Sequence, residues 1–278
     1  MTKHRLIATL LVNNGNVVQT RKFKRTNMVG SAFTAVDFFN GWTVDEIVVL
    51  EISNSLSFTS RFIDIVHNLS RRCFVPLTVG GKIVDLEIVR IYTRAGADKV
   101  VINTGAVQNP NLITEVAENF GSQCAVVSID GMRNPAMQSG YEVYIDNGRK
   151  PTGLDLLTWA RKATELGAGE LMVNSVEFDG DKRGYDLDLV RQVSGAVNVP
   201  VIAMGGVGRW QDLVDGIKQG NADAVSAGNI FHYTEHSTKK AKEFMADAGV
   251  SVRYSAFYKI NMPRRPAYEP YLHHNSNL

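Results

Sequence analysis

Two glycine-rich turns with the same surroundings occur in the chain: Pro76 and Pro200 before them are 124 positions apart, and the turns themselves, at Gly81 and Gly206, are 125 apart. The first ends the run Val75–Gly81 and the second ends the run Val199–Gly206; both runs begin with Val-Pro and end with Gly-Gly. A glycine turn that directly follows a strand presents backbone N–H groups that bind phosphate oxygens. A single Gly-Gly pair is usually only a tight turn, but a repeated pair favours two phosphate sites.

The repeat extends beyond these turns. Glu46 and Glu170 keep the offset of 124, and Asp98 and Asp223 stand 125 positions apart. We therefore predict a duplicated half, in which each copy supplies a glycine-rich turn after its third strand and a small polar turn after its fourth. The candidate phosphate contacts are Gly81, Asn103 and Thr104 in the first half, and Asp179, Gly180, Gly205, Gly206, Gly228 and Asn229 in the second.

A basic cluster follows the first predicted strand. It consists of Arg21, Lys22, Lys24 and Arg25, and the pair Arg264-Arg265 near the end of the chain could add to its field. The cluster either forms a solvated loop or attracts a phosphorylated or carboxylated ligand, such as a nucleotide sugar. The sequence leaves both interpretations open.

Eight β-rich runs must position these residues. The runs alternate with helical patterns, in which apolar residues recur at three- and four-residue spacing. Strict alternation predicts a parallel sheet, and eight units in about 250 residues favour a closed single-domain (β/α)₈ TIM barrel. We expect the barrel over 1–253 and a C-terminal extension over 254–278. The predicted strands are Leu6–Val12, Glu46–Ile52, Phe74–Val79, Lys99–Asn103, Cys124–Asp130, Glu170–Val176, Val201–Met204 and Ala222–Ala227; clear helical patterns cover Phe58–Leu69, Asp85–Ala95, Leu112–Phe120, Leu154–Leu166 and Leu187–Val193.

Composition excludes several classes of function. The formal net charge of +2 is too small to indicate nucleic acid or an acidic membrane as the main partner, and no apolar run approaches a membrane span. Cys73 and Cys124 stand in apolar runs, which is typical of reduced thiols and predicts a cytoplasmic protein. We expect no metal and no cofactor, because the histidines lack ligand spacing; these are His4, His67, His232 and His236.

Over Arg5 to Arg253 the chain resembles the HisF family, the cyclase subunit of imidazole glycerol phosphate synthase. The resemblance implies a HisH-like glutaminase on the N-terminal face of the barrel, ammonia passing through the barrel, and ring closure of a bis-phosphate substrate at the other end. The matching segments, in order, are Phe74–Gly81, Gly96–Lys99, Ile102–Thr104, Asn109-Pro with Leu112–Glu115, Phe120–Cys124, Pro151-Thr-Gly, Gly167–Glu170, Gly184–Asp186 and Ile230–Tyr233.

The resemblance also implies two acid–base carboxylates, at the ends of the first and fifth strands. Asp130 matches the second, but Leu11 stands at the first, and Gln19 stands where the family has a lysine. Removing one of two acid–base groups costs about 10²- to 10⁴-fold in rate, so we expect the cyclase activity to be weak or absent. Lys82 replaces a glycine of the first phosphate cradle and remains able to bind an anion, and Glu51 replaces a shorter carboxylate.

At the opposite end of the barrel the resemblance is intact. The four charges of the family's ammonia gate match Arg5, Glu46, Lys99 and Glu170, and two residues of its glutaminase interface match Asp98 and Gln123. The alternative is that these charges only satisfy one another at the barrel floor. An intact lower end beside an altered upper end favours retained ammonia transfer.

These observations lead to one main hypothesis and two rivals. The main hypothesis is a HisF-like ammonia-channel subunit that works with a HisH-like glutaminase and an ATP-dependent sugar amidotransferase, delivering ammonia to a nucleotide-linked acetamido sugar in surface-polysaccharide (lipopolysaccharide O-antigen) biosynthesis. The first rival is the cyclase subunit itself, in histidine biosynthesis, for which Leu11 is the discriminating residue. The second is a non-catalytic activator of the glutaminase, without ammonia transit.

Overall fold

Eight parallel strands close into a barrel in the computed structural model, which describes residues 3–41, 43–53, 59–232 and 237–253. Closure is direct: one edge pairs Arg5–Ala8 with Ala224–Ala227, and another pairs Glu170–Ser175 with Val126–Gly131. The predicted (β/α)₈ fold is confirmed. Strands within these segments are β1 (Arg5–Asn13), β2 (Asn16–Arg21), β3 (Lys24–Ser31), β4 (Glu46–Glu51), β5 (Leu77–Gly80), β6 (Lys99–Ile102), β7 (Ala125–Arg133), β8 (Tyr141–Ile145), β9 (Lys150–Asp155), β10 (Glu170–Ser175), β11 (Val201–Met204) and β12 (Ala224–Ala227).

Helices cover the outside of the barrel. Aspartates begin three of them: Asp85, Asp155 and Asp186 each accept a hydrogen bond from the backbone N–H three residues on, as N-cap residues do. The predicted helical patterns are found, although Phe58 lies outside the described residues. The helices are α1 (Ala32–Gly41), α2 (Thr59–Ser70), α3 (Leu86–Arg94), α4 (Thr104–Gln108), α5 (Asn111–Phe120), α6 (Leu156–Glu165), α7 (Leu187–Ser194), α8 (Trp210–Lys218) and α9 (Ser237–Asp247).

The barrel strands bury both faces, which explains why they read as β-branched apolar runs. Along β1, Leu6, Ala8 and Leu10 pack outward against the helices, whereas Ile7 points into the barrel lumen with other strand residues. Two separate cores result, one between barrel and helices and one inside the barrel.

Two hairpins were missed by the sequence analysis. β2 and β3 extend β1 as an antiparallel unit, and β8 and β9 extend β7 in the same way. The basic cluster that we placed in a loop therefore lies on the β2–β3 hairpin. Each hairpin follows the first strand of a half-barrel, in keeping with the predicted duplication.

The predicted third barrel strand began too early. Phe74 is 71% exposed and the strand starts only at Leu77, because Pro76 has no N–H to donate to a neighbouring strand. The predicted extension at 254–278, including Arg264 and Arg265, lies outside the described residues, as do Tyr233 and His236. Nowhere in the described segments does a helix combine the length and apolar character of a membrane span.

The tip of the β2–β3 hairpin has unusual turn chemistry. Arg21 pairs with Lys24, so the loop consists of Lys22 and Phe23, which have φ of 51° and 60°. Such two-residue loops normally carry Asn or Gly, because side chains with bulky stems are strained at positive φ. The strain must be offset by contacts of the hairpin with the rest of the barrel.

We expect Lys22→Asn to raise the free energy of unfolding by about 1 kcal/mol, because Asn tolerates the left-handed conformation. Lys24→Asn is the matched control: it removes the same charge from a strand residue and should give no gain. Urea unfolding of both variants measures the difference. Equal stability of the two variants would show that the turn is not strained.

Candidate functional site

Four charged side chains form an alternating ring at the N-terminal end of the barrel. Arg5 Nη1 lies 2.8 Å from Glu46 Oε2 and 3.0 Å from Glu170 Oε1, and Lys99 Nζ lies 3.1 Å from each of these atoms. Thr78 Oγ1 also donates to Glu46 Oε1 at 2.7 Å. The structure thus brings the four predicted gate residues into contact and joins them by ion pairs.

The ring is largely withdrawn from solvent, which strengthens its electrostatics. Burial on its own lowers the pKa of Arg5, but the carboxylates of Glu170 and Glu46 outweigh it and raise that pKa above its ordinary value. On the outer side, the ring is the floor of a depression of about 360 Å³, whose wall includes Pro76 and Pro200. The depression is wide enough to admit a small molecule to the ring.

Above the ring the lumen is apolar. Its side chains come from seven of the eight barrel strands, all except β5, and form a buried cluster separate from the outer core. A neutral molecule can enter such a layer at little cost, whereas an ion cannot. The cluster consists of Ile7, Val48, Val101, Val126, Met172, Ile202, Met204 and Ala224.

Polar groups return at the C-terminal end of the lumen, around Asp130. Asn103 Nδ2 donates to Asp130 Oδ2 at 3.2 Å, and Ser128 Oγ donates to Oδ1 at 3.3 Å. Burial raises the pKa of Asp130 to about 7; the hydrogen bond from Ser128 opposes the shift, and the charge of Asp179 adds to it. A carboxyl group with this pKa exchanges protons near neutral pH.

Leu11 occupies the corresponding place in the first half-barrel. Leu11 pairs with Val18 at the start of the antiparallel pairing between β1 and β2. Asp130 pairs with Tyr144 at the same point between β7 and β8. Leu11 packs against the lumen cluster together with its β4 neighbour Leu50. The structure therefore places an apolar side chain where the resemblance implies a carboxylate.

In the first predicted phosphate cradle, Gly81 is held tightly against Glu51. A side chain at Gly81, which has φ of 115°, would meet the carbonyl oxygen of Glu51 at 2.4 Å. Lys82 follows at φ of 57° and sits close enough for its charge to act on Glu51. Burial raises the pKa of Glu51, while hydrogen bonds from Ser53 and the charge of Lys82 lower it.

The second cradle is contacted by the β2–β3 hairpin. Phe23 N donates to the Asp179 carboxylate at 2.9 Å, and Asn229 Nδ2 donates to the carbonyl of Thr20 at 3.1 Å. A side chain at Gly180 would meet that same carbonyl at 2.0 Å. Two of the predicted phosphate contacts, Asp179 and Asn229, thus use their side chains to seat the hairpin.

The remaining second-cradle contacts are backbone positions. Gly205 and Gly206 have φ of 88° and 95°, and any side chain at Gly206 would meet the Gly184 carbonyl at 2.2 Å. Gly228 lies close to Thr9 of β1. The turn geometry is that expected of a phosphate cradle, and phosphate binding there stays a prediction.

The β8–β9 hairpin reaches the other half in the same manner. Asp146 N donates to Thr104 Oγ1 at 3.0 Å, and Asn147 Nδ2 donates to the Ile52 carbonyl at 3.2 Å. Asn229 and Thr104 are counterparts in the duplication, since they stand 125 positions apart. Each half-barrel therefore sends its hairpin to the predicted phosphate cradle of the other half.

The basic cluster lies beside the second cradle. Arg21 Nη2 is 2.7 Å from Asp181 Oδ1, and Arg183 pairs with the same carboxylate at 3.0 Å. Lys22 N donates to the Asp179 carbonyl at 2.8 Å. The cluster is thus folded against the barrel, and attraction of an anionic ligand stays a prediction.

The two predicted interface residues lie at the ring end of the barrel, and both are exposed. Asp98 has a structural task as well, because its Oδ2 accepts a hydrogen bond from Leu77 N at 2.8 Å at the start of β5. Asp223 does the same for Val201 at 2.9 Å in the second half. The structure brings Gln123 close to Gly169, and partner contact by Asp98 and Gln123 stays a prediction.

Sequence reasoning missed several polar groups of the upper lumen. Thr9 and Ser226 hydrogen-bond each other at 2.6 Å, and Asn174, which is 5% exposed, finds no hydrogen-bond partner for its Oδ1 among the residues that the structure describes. The sequence does contain a signal for these groups, because polar residues at every second position of an otherwise apolar barrel strand indicate side chains that point into the lumen. In the described segments, no group of three or more His, Cys, Asp and Glu side chains is placed to hold a metal ion.

Comparison with known proteins gives a consistent picture. Residues 5–237 match the family model described as "Histidine biosynthesis protein". A protein provisionally named imidazole glycerol phosphate synthase subunit hisF2, from Vibrio vulnificus (strain YJ016), is 44% identical over 93% of this chain and 94% of its own length. Imidazole glycerol phosphate synthase subunit HisF of Chloroherpeton thalassium is 44% identical over 91% of this chain and 100% of its own length.

The raised pKa of Asp130 predicts a pH-dependent stability. The folded protein holds this proton between the unfolded value near 4 and the folded value of about 7, so the stabilisation present at low pH is lost as the pH rises through 7. Asp130→Asn should remove that loss and be more stable than wild type at pH 8 by a few kcal/mol, with a smaller gain at pH 5. Urea unfolding of both proteins at the two pH values measures it; parallel pH profiles would contradict the assignment.

Proposed function

The chain belongs to the histidine biosynthesis protein family and is HisF-like, and from that premise we propose that it is the ammonia-accepting barrel subunit of imidazole glycerol phosphate synthase. It pairs with a HisH glutaminase at the ring end of the barrel. The names of both relatives support this function, and the charge ring of Arg5, Glu46, Lys99 and Glu170 is the observation that carries it.

The ring and the lumen together suit the passage of ammonia. Ammonium would be held by Glu46 and Glu170, and the apolar layer above them excludes it, because an ion there would lose its hydration. Neutral ammonia needs only a transient gap between the ion pairs. The path then ends at Asp130, the first buried carboxylate of the upper lumen.

At the upper end, Asp130 acts as the acid–base group. Its pKa of about 7 leaves both protonation states populated at neutral pH, so it can accept a proton in one step and return it in another. The two cradles at Gly81 and Gly205 hold the two phosphates of the substrate, one from each half-barrel.

A second candidate function is favoured by Leu11. Because leucine transfers no proton, the barrel would pass ammonia to a different acceptor, a nucleotide-linked acetamido sugar bound by an ATP-dependent amidotransferase. This candidate shares the glutaminase, the ring and the lumen with the first. The two differ only in what happens above Asp130, so a direct assay separates them.

We expect measurable cyclase turnover in the wild type with ammonia and the histidine-pathway substrate, and turnover about 10²- to 10⁴-fold higher in Leu11→Asp. Asp130→Asn should abolish it, and Leu11→Asn, which has nearly the shape of aspartate but transfers no proton, should give no gain. Undetectable turnover in the wild type would exclude the synthase function and leave the sugar-amidation candidate. Equal rates in wild type and Leu11→Asp would show that Leu11 does not limit the reaction.

The ring should affect how much of the ammonia released from glutamine is converted to product. Lys99→Met leaves Glu46 and Glu170 with one cation, so we expect normal binding of the glutaminase but less product per glutamine hydrolysed. Lys162→Met, which removes an exposed cation from α6, is the control. Lys99→Arg keeps the charge and checks that any change reflects the ring and not folding.

Product and glutamate are measured together in the assembled complex, first with glutamine and then with added ammonium salt. A ratio unchanged by Lys99→Met would contradict passage through the ring. It would favour a chain that only activates the glutaminase.

A further inference from the structure

Asn174 lies at the upper end of β10, in the lumen beside Asp130. The two residues are paired across the adjacent strands β10 and β7. Their side chains point to the same side, because Met172 and Val126, which precede them at even spacing, belong to the lumen cluster. Asn174 is buried. A carboxamide therefore stands next to the carboxyl group to which the path from the ring leads.

The carboxamide of Asn174 makes no hydrogen bond within the described part of the chain. Its Oδ1 is buried and has no partner there, and its Nδ2 has none either. A buried amide normally uses both groups, since each unpaired one costs stability. Asn103, the other amide beside Asp130, does so: its Nδ2 donates to the Asp130 carboxylate at 3.2 Å and to the Ser128 carbonyl at 3.1 Å. Asn174 thus keeps a donor for a ligand.

The oxygen of this amide is turned toward the second cradle. A side chain at Gly205 would meet Asn174 Oδ1 at 2.1 Å, so Oδ1 fills the space beside the first glycine of that turn. The nitrogen, at the other end of the carboxamide, is then the group that a ligand in the lumen can reach. A small molecule whose phosphate lies in this cradle would therefore have its neighbouring atoms close to Nδ2.

The first half-barrel is apolar at the two equivalent positions. Leu50 is the counterpart of Asn174 at the offset of 124, and it pairs with Leu11, which takes the place of Asp130. Both leucines pack against the lumen cluster. The mouth of the lumen thus has an apolar side and, opposite it, a polar side on which an amide stands next to a proton-transferring group. A polar reacting group is better accommodated on the side of Asp130 and Asn174.

We propose that Asn174 Nδ2 donates a hydrogen bond to the carbonyl oxygen of a phosphorylated carbonyl compound, at the carbon that ammonia attacks. The inference rests on the proposed function and adds the substrate class and a residue that contacts the reacting group. Ammonia is a nucleophile, so it forms a bond to an electrophilic carbon such as that of a ketone. Negative charge then develops on the carbonyl oxygen, and an N–H group already in place in a buried site stabilises that charge.

The chemical step balances with these two side chains alone. The lone pair of ammonia forms the C–N bond while the π pair of the carbonyl group moves onto its oxygen, which Asn174 holds. Ionised Asp130 takes one proton from the new ammonium group and returns it to that oxygen. The product is a neutral amino alcohol on the attacked carbon, and Asp130 is ionised again. The pKa of Asp130, which burial raises to about 7, suits both transfers.

Ammonia-driven turnover of the histidine-pathway substrate, measured in the more active Leu11→Asp background, tests the role of the amide. We expect Asn174→Leu to lower kcat by about 10²- to 10³-fold with little change in KM, as loss of one such donor does. Asn174→Thr keeps a donor and should lose much less. Ser175→Ala is the matched control, because Ser175 is buried on the opposite face of β10, and it should change neither constant. An unchanged kcat in Asn174→Leu, or a rise in KM alone, would overturn the proposal.

Infrared spectroscopy tests the hydrogen bond without any turnover. The probe is dihydroxyacetone phosphate, isotope-labelled at its carbonyl carbon, and no ammonia is added. The carbonyl band of the bound probe should lie at lower frequency on the wild type than on Asn174→Leu, because a hydrogen bond weakens the C=O bond. Equal frequencies on the two proteins would sink the hydrogen bond, and failure of the wild type to bind the probe would sink the substrate class.

The two experiments separate this inference from the proposed function. If the band shifts as expected but neither the wild type nor Leu11→Asp shows cyclase turnover, the proposed function fails and the carbonyl site stands. If turnover is found and Asn174→Leu keeps both kcat and the band, the inference fails and the function stands. Thermal melts check the fold: Asn174→Leu should melt no lower than the wild type, because it installs the residue found at Leu50. If it does melt lower, Asn174→Ala takes its place in both experiments.

Discussion

A closed parallel barrel forces every second side chain of each strand into a shared lumen, and the rest of this structure follows from that constraint. On β1 it sends Arg5, Ile7, Thr9 and Leu11 inward, one above the other. The same period on the other strands completes a charged floor, an apolar middle and a polar upper level. A shift of one residue in any strand would exchange lumen residues for helix-facing ones, so the register is strongly fixed.

The three levels differ in what they admit. At the floor, carboxylates and cations neutralise one another at short range, which makes their burial tolerable. The apolar middle has no group to solvate an ion. At the upper level, burial disfavours the ionised form of Asp130 and raises its pKa, although the hydroxyl of Ser128 partly stabilises the carboxylate. The low polarity of the lumen thus also sets the proton affinity of the carboxylate at its upper end.

Duplication explains the upper rim. Each half-barrel carries a hairpin after its first strand, and each hairpin crosses to the cradle of the other half through Asn229 or Thr104. The halves differ at the end of their first strands, where Leu11 in the first half corresponds to Asp130 in the second.

The sequence by itself determined the barrel and the duplication, because each depends on a short-range period or on a spacing that repeats. The four residues of the ring followed from the resemblance to the HisF family. The bounds of most strands followed too, except where Pro76 delayed β5. Only the tertiary structure decided how the hairpins cross, that Asp179 and Asn229 seat a hairpin, and that Phe74 is exposed. The hairpin contacts join residues from 42 to 209 positions apart in the chain, and no local sequence pattern records their energies.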